Sequence, residues 1–240
     1  IVIHGTPGED GKLQGYLDMV GIPYNTSSAA IMALTFQKFH CNQFLKNFGI
    51  NVPEAVLIKP DDEINESQIL EKVKLPCFVK PTDGGSSFGV TKVKNENKLL
   101  PAIKAAFKYG TEVIVEQSIE GREVTCGVYS AKEGIKALPI TEIISENEYF
   151  DYDAKYNGKS NEVTPAEIDD EMTNKIKTIT KKIYGVLGMK GIARMDYIIN
   201  KDRVPFLIEI NSIPGMSKES IVPKMLKSAK LDIEKGLHGF

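Results

Sequence analysis

The stretch Gly191-Ile-Ala-Arg194-Met-Asp196-Tyr-Ile-Ile-Asn200-Lys-Asp-Arg203-Val-Pro-Phe-Leu-Ile-Glu209-Ile-Asn211 decides the fold. It reads as two short apolar strands around a polar turn, Asn200 to Arg203, and hence as an antiparallel hairpin. Side chains alternate along a strand, so Arg194 and Asp196 share one face of the first strand, and Glu209 and Asn211 one face of the second. A turn centred between Asp202 and Arg203 sets Asp196 opposite Glu209 and Arg194 opposite Asn211. Two carboxylates directly across a ladder repel unless something positive lies between them. Hard divalent cations take carboxylate and amide oxygens, and magnesium leaves positions for phosphate oxygens. The hairpin therefore reads as a magnesium–phosphate platform with an arginine beside it. The bland alternative is a solvated polar face.

The bulk properties narrow the class. A chain of 240 residues suits one large or two modest domains with a real core. Its formal net charge of -2 gives no basic excess for nucleic acid. No stretch approaches the length of a membrane-spanning helix. Cys41, Cys77 and Cys126 lie far apart, without metal-ligand or redox spacing. Three separated thiols and no signal peptide point to a reducing cytoplasm.

Upstream of the hairpin, Ile1-Val2-Ile3 reads as part of a strand with no initiator Met, so a further N-terminal portion is expected before it. His4-Gly5-Thr6-Pro7-Gly8-Glu9-Asp10-Gly11 is a glycine-rich loop into a short helix; on spacing alone it is a plain strand-to-helix turn. Thr26-Ser27-Ser28 caps a helical pattern from Ala29 to Phe48 that carries Gln37, Lys38 and His40 on its polar side. Leu75 to Lys80 is a buried strand ending in a lysine. Next come Pro81-Thr82-Asp83-Gly84-Gly85-Ser86-Ser87-Phe88-Gly89 and a strand, Val90 to Val93. Glycines and serines expose donors that can wrap phosphate oxygens. The lysine precedes the glycines, so this is no P-loop but a flap between two strands. A simple turn is the alternative.

Strand Glu112 to Glu116 runs into Gln117-Ser118-Ile119, a linker able to hold a purine by its backbone, with Glu123 within reach of ribose hydroxyls. In isolation those acids read as surface charge. Phe150-Asp151-Tyr152-Asp153-Ala154-Lys155-Tyr156, in a long irregular stretch, fits a closing lid. Ile168 to Leu187 is a long amphipathic helix leading to the hairpin, and Ser220 caps a last short helix.

Taken together, His4-Gly5 with Gly8-Glu9-Asp10-Gly11, Val79-Lys80-Pro81 with Gly85-Ser86-Ser87-Phe88-Gly89, Tyr152 to Tyr156, Arg194-Met195-Asp196 and Glu209-Ile210-Asn211-Ser212-Ile213-Pro214-Gly215-Met216 resemble the D-alanine–D-alanine ligase family of the ATP-grasp superfamily. The motifs fall in the family's order and span nearly the whole chain. The resemblance implies an α+β fold, in which two lobes sandwich ATP, with a remnant of an N-terminal α/β domain. The implied divisions are residues 1–27 for that remnant, 28–115 for the central lobe with its flap, and 116–240 for the C-terminal lobe with platform and lid.

The same resemblance implies the roles. Lys38 and Lys80 contact the nucleotide phosphates, with Ser86, Ser87 and Lys155 closing over them. Glu116, Gln117 and Ile119 frame adenine, and Glu123 takes the ribose. Asp196, Glu209 and Asn211 hold two magnesium ions, with manganese as a substitute. Arg194 and the Gly215 amide stabilise the oxyanion, Ser86 and Tyr156 help hold the first D-alanine, and His4 and Ser220 serve the second. The implied reaction is ATP-dependent ligation of two D-alanines through an acylphosphate, for peptidoglycan precursors, by a cytoplasmic homodimer that binds neither nucleic acid nor membrane. Tyr rather than Phe at 156 favours D-alanine over D-lactate as acceptor. Ligases using D-serine or D-lactate, and an ATP-binding fragment without turnover, are the alternatives. The flap's Asp83-Gly84-Gly85 replaces a common Arg-Glu pair, and Gln37 stands where an acid is common.

Overall fold

The computed structural model describes residues 1–82, 89–145 and 160–231. Two antiparallel sheets organise it. The smaller contains β1 (Ala55–Ile58), β2 (Cys77–Pro81), β3 (Thr91–Val93) and β4 (Val113–Gln117), in the order β1-β4-β2-β3. The larger contains β5 (Gly121–Ala131), β6 (Gly134–Ser145), β7 (Ser160–Val163), β8 (Ile192–Asn200) and β9 (Pro205–Asn211), in the order β7-β6-β5-β8-β9. Only Ser118, Ile119 and Glu120 separate β4 from β5, so one short linker joins the sheets. The division expected between 115 and 116 falls inside β4, whose Glu116 and Gln117 still pair with Phe78 and Cys77.

In the chain before the sheets, α1 (Lys12–Met19), α2 (Ala29–Phe36) and α3 (Lys38–Lys46) follow one another. A single helix was expected from Ala29 to Phe48, but it is broken at Gln37, whose φ of -90° and ψ of 87° are not helical. The break has a partner: the Thr82 hydroxyl donates to Gln37 Oε1 at 2.9 Å. Residues 1–3 form no strand, contrary to expectation. A β-branched run has no ladder without a neighbour, and no described strand lies beside it.

Each sheet buries a face under helices. In the smaller sheet Val79, Val93, Val113 and Val115 pack with α4 (Glu66–Val73) and α5 (Leu99–Ala106). In the larger, α6 (Asp170–Val186) buries Met172, Ile176, Thr180, Ile183 and Tyr184, the one-sided spacing of an amphipathic helix, against Val124, Cys126, Met195 and Tyr197. Fully burying each large apolar side chain is worth about 1.5–3 kcal/mol. Asp169 caps α6, accepting from Met172 N at 2.9 Å. Cys41, Leu45, Ile50 and Val52, in and just after α3, join this second core, so α3 belongs to the wall of the larger sheet. Finally, α7 (Ile221–Ser228) covers Leu138 and Ile143 of β6.

β2 pairs antiparallel with β3, and β6 with β7 from Ser145↔Ser160 inward. The expected flap residues Ser86 and Ser87, and the lid residues Lys155 and Tyr156, lie outside the described residues.

Candidate active site

The hairpin β8–β9 brings the expected platform together. Arg194 pairs with Asn211 and Asp196 with Glu209, the pairs expected from the sequence. The turn, however, centres on Asp202: Ile199 pairs with Pro205 and Tyr197 with Leu207. Arg203 takes the left-handed conformation, φ 59°, that closes a three-residue hairpin loop. Asn200 clamps that loop, its Oδ1 accepting from Asp202 N and Val204 N at 3.0 and 2.9 Å. Between Leu207 and Glu209, β9 then carries one residue more than β8, a bulge at Ile208 that restores the pairing of the two carboxylates.

Around Asp196 the electrostatics are settled by close partners. Arg194 Nε and a terminal nitrogen each lie 2.9 Å from its two oxygens, a bidentate pair. Thr125, its partner on β5, donates to Oδ1 at 2.5 Å. Burial works against the Arg194 charge, but Asp196, with Glu209 and Glu162 further off, outweighs it and raises the guanidinium above its ordinary range. Arg194 therefore stays charged.

Lys38, the first residue of α3, puts its Nζ 3.6 Å from Glu209 Oε2. Lys80 Nζ lies 2.6 Å from Glu116 Oε1, with both side chains largely buried at the mouth of the linker. Gln117 turns outward to β1: its N–H donates to Glu54 O at 2.8 Å, and Glu54 N donates back to Gln117 Oε1 at 3.3 Å. Glu123 is on β5 two residues before Thr125, so it shares the face that carries Asp196. Ile119 lies in the linker itself.

The glycine-rich loop reaches the same place. Its shape is held by Gln14, fully buried, which donates to Gly8 O at 2.8 Å. Asp10 closes it, accepting from Thr6 Oγ1 at 2.8 Å and from Lys12 N at 3.1 Å. Burial works to raise the Asp10 pKa, but these bonds and the Lys12 ammonium outweigh it, so the carboxyl sits below its ordinary range. Glu9 is the residue that sequence reasoning passed over. Its Oε2 accepts from Gly5 N at 2.6 Å and its Oε1 lies 4.0 Å from His4 Nδ1. With its amide turned to satisfy its neighbours, Asn211 donates to Glu9 Oε1 at 3.2 Å and to Ile213 O at 3.0 Å. The signal was present in Gly8-Glu9-Asp10-Gly11, but nothing in the sequence ties that motif to Asn211.

His4, Gly215 and Ser220 also converge. A Cβ on Gly215 would lie 2.7 Å from Ser220 Oγ and 3.9 Å from His4 Nε2, so only glycine fits there without a shift. Ser220 Oγ hydrogen-bonds Ser217 Oγ at 2.8 Å. Thus Arg194, Asp196, Glu209, Asn211 and Lys38 form one cluster, His4, Gly215 and Ser220 a second, and Glu9 links the two. Lys80 and Glu116 form a third at the linker.

No three His, Cys, Asp or Glu side chains gather to hold an ion among the described residues. The donor set at the hairpin is instead two carboxylates and a carboxamide, hard oxygens that suit magnesium with phosphate completing its shell. No helix among the described residues is long and apolar enough to cross a membrane.

Comparison with known proteins gives a consistent answer. Residues 44–238 match the family model described as D-ala D-ala ligase C-terminus. The chain is 48% identical over 234 residues to a D-alanine–D-alanine ligase of Bacteroides fragilis, covering 98% of this chain and 72% of that protein. Against the same ligase of Porphyromonas gingivalis it is 49% identical over 238 residues, covering 99% and 72%. Among solved structures it resembles the VanG D-Ala:D-Ser ligase of Enterococcus faecalis, with TM-score 0.86, 35% identity and coverage of 99% and 70%. It also resembles the Bacillus anthracis D-alanine–D-alanine ligase complexed with ATP, with TM-score 0.85, 29% identity and coverage of 98% and 75%.

Proposed function

The chain belongs to the D-alanine–D-alanine ligase family, ATP-grasp ligases that form a carbon–nitrogen bond, and we propose that it joins two D-alanines through an acylphosphate for peptidoglycan precursors. The observation that carries this reading is the opposed pair Asp196 and Glu209, with Asn211 and Lys38 beside it. These three oxygen-bearing side chains would hold two magnesium ions, which supply charge neutralisation on the phosphoryl group when bound.

In this reading Glu116, Gln117 and Ile119 frame adenine, Glu123 takes the ribose, and Lys38 and Lys80 hold phosphate oxygens. Ser86, Ser87 and Lys155 close over the phosphates, and Ser86 and Tyr156 help to seat the first D-alanine. Its carboxylate oxygen attacks the γ-phosphorus, the bond to the bridging oxygen breaks, and ADP leaves. The amine of the second D-alanine then attacks the acyl carbon and gives up a proton. The carbon–oxygen bond to phosphate breaks, releasing inorganic phosphate. Arg194, kept charged by its carboxylate neighbours, and the Gly215 amide face the oxyanion of that step. Ser220 binds the acceptor's carboxylate and His4 lies beside it. The D-alanine ligases of Bacteroides fragilis and Porphyromonas gingivalis, at 48% and 49% identity, are more similar in sequence than the D-serine ligase at 35%, which favours D-alanine as acceptor. The buried free cysteines suit a reducing cytoplasm, and assembly as a homodimer belongs to the same reading.

D-Alanine labelled with ¹⁸O in its carboxylate tests the reaction. Transfer of one label into released phosphate supports the acylphosphate, and phosphate free of label, with the displaced oxygen lost to water, contradicts it. Competition among D-alanine, D-serine and D-lactate as acceptors tests the specificity.

A further inference from the structure

We propose that Asn42 is a positioning residue that holds the β9 bulge open and so keeps Glu209 and Asn211 on the site face. The inference rests on the metal–phosphate reading of those two residues. Along β9, Pro205 and Leu207 are buried on the core side, while Phe206 and Ile208 are on the open side. Strict alternation would then turn Glu209 and Asn211 back toward Leu207 and the apolar core. Burying a carboxylate there without a partner would be prohibitive. The extra residue at Ile208 changes the parity instead: Glu209 and Asn211 join the open side, and Ile210 takes the buried position.

A bulge leaves ladder groups unpaired, and here residues outside the sheet take up the neighbouring ones. Asn42, 5% exposed, donates its Nδ2 hydrogen to the Ile208 carbonyl at 3.1 Å. Leu207 N donates to Asn51 O at 2.9 Å. Asn42 lies one helical turn beyond Lys38 on α3, so one face of one helix both secures the bulge and sets Lys38 3.6 Å from Glu209. Asn42 acts through Ile208, since its bonded partner is that backbone carbonyl.

The test measures Mn²⁺ binding to the protein–ATP complex in the intact chain, alongside thermal stability and hydrogen exchange of the 206–211 amides. Asn42→Leu keeps the branched shape and removes the donor; Asn42→Ala carries the same test if leucine is not accommodated. The expected result is a folded protein with faster exchange at Ile208 and Glu209. Its Mn²⁺ affinity should fall about 10- to 100-fold, the range for lost outer-shell support. A lowered Tm with wild-type Mn²⁺ affinity and unchanged exchange would mean that Asn42 only packs, and would overturn the proposal. Glu209→Gln is measured beside it. If that variant binds Mn²⁺ as the wild type does, the metal reading fails separately, and Asn42 is then judged by exchange alone: faster supports the bulge role, unchanged refutes it.

Discussion

Thr125 and Asp196 are direct partners across the β5–β8 ladder, and the threonine hydroxyl donates to Asp196 Oδ1 at 2.5 Å. Thr125 is fully buried and Asp196 nearly so. Arg194 grips both Asp196 oxygens from the next same-face position on β8. The carboxylate is therefore fixed before any ligand arrives. Thr125→Val keeps the shape and removes the donor, and should cost about 1.5–3 kcal/mol, the worth of a hydrogen bond to a charged group. Thr125→Ser keeps the hydroxyl and should recover most of that. Denaturant unfolding of the two variants checks it.

Glu209→Gln keeps the size and hydrogen-bonding capacity of the side chain but removes the charge opposite Asp196. Turnover should fall by more than about 100-fold, beyond the usual cost of losing an outer-shell partner. Because Glu209 is only partly buried, stability should shift little. Circular dichroism and steady-state ADP formation separate the two effects.

Arg194→Lys retains a positive charge but cannot span both Asp196 oxygens. Loss of one oriented donor at an oxyanion typically costs about 10²–10³ in kcat. That loss is expected here with the KM for ATP within about three-fold of wild type, because the step affected is acyl transfer rather than nucleotide binding. A raised KM for ATP with normal kcat would assign Arg194 to the nucleotide instead.

Gly215→Ala places a methyl 2.7 Å from Ser220 Oγ, so the serine must move. The expected outcome is a raised KM for the acceptor D-alanine with ATP affinity unchanged, read from initial rates at varied D-alanine.

Burial pushes the Cys41 and Cys126 thiols up to about 12 and Cys77 up to about 11, from an ordinary 9.0. Since each folded value lies above the unfolded one, the stability held by the neutral thiols is complete below pH 9.0. It is lost as pH rises toward 11 and 12. Unfolding midpoints measured from about pH 8 to about pH 10.5 should fall in the upper part of that range. Iodoacetamide at about pH 8 should label the three thiols only after denaturation.

Much of the site was legible because a strand's two-residue period carries its own geometry. Alternation alone set Arg194 with Asp196 and Glu209 with Asn211. The bulge at Ile208 was not legible, since no glycine or proline marks it and its support comes from Asn42, far away in the chain. The expected pairing of Asp196 with Glu209 holds although the turn is one residue tighter than expected, because the bulge offsets it. The break at Gln37 escaped for a similar reason: the local sequence is helical throughout, and the interruption meets Thr82 of a distant segment. Ile1 to Ile3 shows the converse, a β-branched run whose strand propensity has no partner to act on. Glu9 sat within a quoted motif, yet its link between His4 and Asn211 depends on tertiary approach.

Phosphate release from ATP with magnesium, measured on this chain with D-alanine, with L-alanine and with neither, tests the central claim most directly. The expected result is release that requires D-alanine and is not supported by L-alanine. Release indifferent to the amino acid, or a chain that binds no ATP at all, would contradict the account.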